Sequence, residues 1–371
     1  MKTTLTPQQF VRGVISLSVI GLIVIGSFNW WVDPFQQYRL SSFYAPRFYN
    51  AQQRFVNPGL AKHADYTRIV IGSSLMENVD TRDVDAAFNV TPNATSNSGR
   101  SINLAMSAMS GYDANQLLSL ALATGKPTHI IMNLDYNAYA GAPTRSGFSS
   151  AFPTYLYDRN FANDAAYLFG LDTILKSVEI AQGKRTSRFS ESLTQPWFWA
   201  GNTEFSAAKT VRGLDANNLN KNHKQPNRTR DAMLLSFNEN IVSLVRAYPN
   251  VTFSFVYLPY SKLVWADFAQ RHQVDVTLQF REDAFNATAA YPNVQWFDFQ
   301  ASPALVNDLS HYTDIYHFSP QISRQIITAI ANNEGRLSAS VLAANNRWLR
   351  ETANNTDAAA VIAQIRAASP Q

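Results

Sequence analysis

Residues 68–75 read Arg68-Ile69-Val70-Ile71-Gly72-Ser73-Ser74-Leu75, a short β-branched run that closes on a glycine and two serines. This pattern predicts a buried strand running straight into a tight loop. Working outward, Ile102 to Met106, Ile130 to Leu134, Val251 to Leu258 and Asn293 to Phe299 are further candidate strands. Ala114 to Ala123, Ala232 to Ala247 and Pro320 to Ala331 read as helices between and after them. Short apolar strands alternating with helices indicate a parallel sheet covered on both faces, so the expected class is α/β, a three-layer α/β/α sandwich. In such sheets sites form at the carboxyl ends of strands, where Ser74 and Asp135 would lie.

From about 140 to 227 the rhythm breaks. One helical stretch is expected near Ala165 to Ala181, followed by a polar, aromatic segment with Trp197, Phe198 and Trp199. The region reads as an insertion beside the site, its aromatics packing onto the body or stacking on sugar rings. Residues 34–64 read as an aromatic, polar linker, 65–335 as the main body, and 336–371, rich in Ala and Asn, as a surface-helical tail.

Ahead of the body, residues 13–32 read GVISLSVIGLIVIGSFNWWV without a charge, enough for a helix to cross roughly 30 Å of hydrocarbon. Lys2 and Arg12 precede the stretch, and Asn29, Trp30 and Trp31 close it with aromatics favoured at a membrane interface. The expectation is a single-pass anchor in the cytoplasmic (inner) membrane, with the N-terminus in the cytoplasm and everything after about Asp33 extracytoplasmic or periplasmic. A cleavable signal peptide is the competing account, but the apolar stretch is long for one and lacks a clear small-x-small cleavage site. Asp33-Pro34 should end the helix, since the residue before proline is biased away from helix and an acid is costly in lipid.

The formal charge of the 371 residues is +4, and no dense basic stripe interleaves with aromatics, so nucleic acid is not an expected partner. Lys221, His223, Lys224, Arg228 and Arg230 lie among Asn, Gln and Pro and read as a solvated loop, with an acidic glycan contact as the sharper alternative. The absence of cysteine removes thiol nucleophiles, thiolate metal sites and disulfides. His63, His129, His223 and His272 have no ligands at metal-binding spacing, and neither a P-loop nor a dinucleotide fingerprint occurs. No metal or cofactor is expected.

The candidate chemistry sits at two places. Gly72-Ser73-Ser74-Leu75 can lift a hydroxyl out of the sheet edge while backbone N–H groups surround it. Asp314-Ile315-Tyr316-His317, just before the last helix of the body, can supply an imidazole and the carboxylate that fixes its tautomer. Ser73 is an alternative to Ser74, and His311, in Asp308-Leu309-Ser310-His311, an alternative to His317.

The pair of motifs, in this order, resembles the SGNH/GDSL hydrolases. Gly72 to Leu75 looks like their GDSL block with Ser73 in place of its Asp, and Asp314 to His317 like their closing D-x-x-H block. The resemblance covers roughly residues 33–333. It implies Ser74 as nucleophile, His317 as base and Asp314 as its orienting acid. Residues 103–108, Asn-Leu-Ala-Met-Ser-Ala, are similar to the second block, with Ala105 and Ala108 where glycine is usual; Asn133-Leu134-Asp135 is similar to the third, with Asp135 where the family has its oxyanion-binding Asn. The implied oxyanion hole therefore draws on Ser74, Ala108 and Asp135, although an ionised Asp cannot donate a hydrogen bond.

An anchor, an outward body, Gly-Ser-Ser at the nucleophile and an altered oxyanion hole together resemble the D-alanyl lipoteichoic acid transfer protein and the alginate and peptidoglycan O-acetylation proteins. That subgroup implies a serine O-acyltransferase or acylesterase acting on cell-surface polysaccharide. Its partners would be a glycan acceptor, an acyl donor and a membrane-bound O-acyltransferase. The other class of function is a catalytically inactive SGNH-like body that binds glycan or the acyltransferase.

Overall fold

The computed structural model describes residues 6–89, 100–185, 189–219 and 228–368. The chain forms two units, one from residues 1–64 and 153–191, the other from 65–152 and 192–371. Of the basic loop, Lys221, His223 and Lys224 lie outside the described residues, as does Lys2.

The second unit is mixed α/β and holds a five-stranded parallel sheet: β1 (Arg68–Ile71), β2 (Ser101–Asn103), β3 (His129–Asn133), β4 (Thr252–Tyr257) and β5 (Val294–Asp298), in the order β2-β1-β3-β4-β5. Ile69, Val70, Ile71, Ile130, Ile131, Phe253, Phe255 and Phe297 are fully buried. Covering on both faces explains why these strands read as continuous apolar runs rather than alternating ones. From β1 the chain steps out to β2 and then crosses back to β3, so the strand order reverses between β1 and β3. A reversal leaves a crevice at the carboxyl ends of the two strands.

Strand β2 is shorter than the expected Ile102 to Met106. The Asn103 side chain turns back, donating to the carbonyls of Met76 (2.8 Å) and Val79 (3.0 Å) and accepting from the Ala105 N–H, so residues 104–106 leave as a loop. The expected helix over Ala232 to Ala247 is present as Arg230–Phe237 and Ser243–Ala247 around one π turn, Asn238–Val242, where Asn240 donates to the carbonyls of Ser236 and Pro143. Pro320–Ala331 is helical as expected.

The expected surface tail is instead part of this unit. Residues 335–337 run antiparallel along β5, with Asp298 N–H bound to the Gly335 carbonyl and Leu337 N–H to that of Trp296, which covers the sheet edge. The following helix, Ala339–Asn355, buries Leu342, Asn346, Leu349 and Ala353, a stripe at helical spacing set in an otherwise Ala/Asn-rich sequence.

In the first unit the apolar stretch forms one helix, Pro7–Val32, with Pro7 in its first turn and a Thr6/Gln9 capping box. Its 26 residues span about 39 Å and its best window has mean hydropathy 2.1, long and apolar enough to cross a membrane. Asp33 ends it in the left-handed conformation, and the reason goes beyond proline and lipid. The Asp33 carboxylate is buried, accepting the N–H groups of Gln37, Tyr38 and Arg39 and the hydroxyl of Tyr167 at 2.7–3.1 Å.

The expected linker, 34–64, is likewise folded. It contains a helix, Gln53–His63, with most of its side chains buried. Gly59 lets this helix meet the chain at Gln36, whose carbonyl oxygen would lie 2.1 Å from any Cβ added there. Within the expected insertion, Ala165–Leu168 and Leu171–Ala181 are two helices rather than one.

Candidate active site

Ser74 stands immediately beyond β1, at the crevice where the strand order reverses. Gly72 is required there by close approach: an added Cβ would fall 1.7 Å from the Asn133 side-chain oxygen. That oxygen sits at the end of β3 and accepts the Ser73 N–H at 2.9 Å, fixing the loop across the sheet. The chain then turns tightly, with the Met76 N–H on the Ser73 carbonyl.

The D-x-x-H loop comes to the same place. Ser74 Oγ lies 2.8 Å from His317 Nε2, and His317 Nδ1 lies 2.7 Å from Asp314 Oδ2. The other Asp314 oxygen accepts the backbone N–H of Tyr316 (2.8 Å) and of His317 (2.9 Å), which locks the carboxylate against its own loop. An Asp paired with Nδ1–H leaves Nε2 as an acceptor facing the serine hydroxyl.

Electrostatics follow from this geometry. Burial would lower the His317 pKa, but hydrogen bonding and charge from Asp314, then the charges of Glu77 and Asp135, raise it above the ordinary histidine value. Burial would raise Asp314, yet His317 and the two backbone N–H groups hold its carboxyl below the usual range. The Asp314 side chain still keeps about half its surface open, so solvent tempers these effects.

Of the expected oxyanion donors, the backbone N–H groups of Ser74 and Ala108 have no hydrogen-bond partner among the described residues. Ala108 occupies the left-handed region, φ 50°, on the loop after β2. Asp135 is an acceptor rather than a donor. One of its oxygens takes the Asn137 N–H, capping the turn after β3, and its charge acts on His317.

The other candidates lie elsewhere in this role. Ser73 is buried, its Oγ 3.5 Å from the Asn133 amide nitrogen. His311 pairs with Asp308 at 3.5 Å. His129 faces the Ser254 hydroxyl at 2.8 Å and is pushed down to about 4 by burial and by Arg68, so it is neutral. His63 contacts the Gln37 carbonyl.

Glu77 and Asn78 escaped the sequence reading, as did the contacts that Asn133 and Trp199 make. Asn133 positions the Ser74 loop through Ser73; the sequence marked it only as the first residue of the third-block match and as a polar residue closing an apolar strand. Glu77 lies three residues past Ser74, is buried, and accepts the Ser107 hydroxyl at 2.8 Å. Asn78 accepts the N–H groups of Trp199 and Ala200. Trp199 thereby sets its ring edge-to-face on His317, 5.4 Å between centroids. Neighbouring Trp197 is fully buried and donates to the Asn103 carbonyl at 3.1 Å, so this aromatic segment both packs into the unit and walls the site.

No protein-family model and no curated protein matches the chain. It is similar to a solved structure described as "a putative platelet activating factor from Streptococcus pneumonia", at 12% identity and a TM-score of 0.36, over 76% of this chain and 91% of that one. So slight a likeness assigns neither fold nor activity.

Proposed function

We propose that this chain is a membrane-anchored serine acyl-ester enzyme of the SGNH kind, its sheet forming the centre of a three-layer α/β/α sandwich. Its substrate class would be a cell-surface polysaccharide facing the extracytoplasmic or periplasmic side. The observation that carries the reading is the Ser74–His317–Asp314 relay, 2.8 Å and 2.7 Å, at the strand-order reversal.

In this mechanism His317 Nε2 takes the Ser74 hydroxyl proton as Oγ attacks the carbonyl carbon of an acyl donor. Asp314 holds the imidazole and stabilises its protonated form. The oxyanion forms against the free N–H groups of Ser74 and Ala108, each worth about 2.7–4 kcal/mol when well placed. Asp135 supplies no donor, while the Asn133 amide offers one in the same crevice. The leaving group departs with the His317 proton, and a sugar hydroxyl or water, deprotonated by His317, resolves the acyl-enzyme. A membrane anchor favours transfer over hydrolysis, because a membrane-borne donor, supplied by a membrane-bound O-acyltransferase, meets the site at raised effective concentration.

Asp135 and the alanines at 105 and 108 favour the second reading, a glycan-binding or acyltransferase-partner protein without chemistry. Intact-mass spectrometry of the full chain after brief exposure to an activated acetyl ester separates the two. One acetyl adduct, absent in Ser74→Ala, is expected; no serine-dependent adduct and no turnover would leave the binding reading standing.

A further inference from the structure

The Leu171–Ala181 helix is inside out. Three of its polar residues face the protein: Thr173, Ser177 and Glu179 are buried, Ser177 completely, and Glu179 pairs with Lys176 (2.8 Å) and Arg47 (3.6 Å), while Asp172 in the first turn is exposed. Its apolar edge faces outward, Leu171 at 69% and Leu175 at 56% exposure, with Val178 completing an i, i+4, i+7 line. In water this arrangement is backwards, since helices of soluble proteins turn their apolar stripe to the core.

The edge is continuous with the apolar helix Pro7–Val32. The segment leading into it packs along that helix's last turns: Asn29 donates to the Leu168 carbonyl at 2.6 Å, and the Phe169 ring fills the space a Cβ at Gly26 would take, 3.1 Å away. At the same end, Trp31 stacks on Phe43 at 4.9 Å, and Arg39 lies over the Trp30 ring at 4.8 Å, all four aromatic-and-cation partners at the surface where interfacial residues of a membrane protein collect.

We propose that the Leu171–Ala181 helix is a second membrane contact, lying in the interfacial layer of the bilayer with Leu171, Leu175 and Val178 among the acyl chains beside the anchor. A helix that buries one apolar edge while its polar side stays with protein is suited to that layer. The inference rests on Pro7–Val32 being the membrane anchor.

The absence of cysteine makes the test direct. The full chain carrying Leu175→Cys, labelled with an environment-sensitive fluorophore, is reconstituted in pure phospholipid vesicles; Ile20→Cys in the anchor and Ala344→Cys on an exposed helix face are the references. A blue-shifted Leu175 signal, quenched by shallow lipid-borne quencher and shielded from aqueous iodide, is expected. Lipid quenching at residue 20 with residue 175 as iodide-accessible as residue 344 would overturn the proposal and leave the anchor intact. Accessibility at both 20 and 175 would overturn the anchor reading itself. Shielding of residue 175 in native membranes but not in pure lipid would also overturn it, assigning the edge to a protein partner.

Discussion

The imidazole of His317 is pulled in two directions, because burial disfavours its protonated form while Asp314, Glu77 and Asp135 favour it. The carboxylates win, so the imidazole is neutral, and in the proposed mechanism able to accept the Ser74 proton, only on the alkaline side of an ordinary histidine. Acylation of Ser74 should therefore rise with pH through a limb above about 6.5. Glu77→Gln removes one of the raising charges, and the limb should move toward acid, measured as acylation rate against pH; an unmoved limb would mean Glu77 does not reach the imidazole. Ser74, Asp314 and His317 were legible in the sequence because each motif is contiguous. The contacts of Asn133 and Asn78 were not, since Asn133 reaches Ser73 through the β1–β3 register, across 60 positions, and Asn78 reaches Trp199 across 121.

Among the elements, the most demanding junction is the buried guanidinium of Arg281, on the Val274–Thr288 helix. It pairs with Asp298 at the end of β5, donates to Asn346 (2.7 Å) and Gln300 (2.8 Å), and lies over the Tyr257 ring. Desolvation opposes its charge, and Asp298 with Tyr136 and Tyr257 more than restores it. Removing one partner strands the other in the core, so Arg281→Ala should cost about 3–5 kcal/mol, read as a lowered urea midpoint. A paired apolar replacement of Arg281 and Asp298 should cost much less. The strands and the helix before β4 were legible from apolar runs, whereas the Val274–Thr288 helix was not read. The role of the Ala339–Asn355 helix was not, because Asn346, its contact to Arg281, looks like any surface asparagine, and the shortened β2 turned on where a single side chain, Asn103, spends its hydrogen bonds.

At the scale of the whole molecule, the Pro7–Val32 helix predicts integral association. The full chain should stay in the membrane fraction through alkaline carbonate, and protease added outside spheroplasts should digest from about residue 33 onward, leaving a short N-terminal fragment; protection of the body would reverse the expected topology. The long apolar helix was legible because it is one unbroken apolar run. That residues 153–191 fold with 1–64 was not, because no local pattern announces a discontinuous unit.

That discontinuity has a kinetic consequence. Asp33 leaves the ribosome long before Tyr167, 134 residues later, can reach it. At about 5–20 residues per second, the aspartate waits on the order of ten seconds for its hydroxyl partner. Throughout that interval the strands β1 to β3 are already being delivered, so the second unit has begun before the first can close.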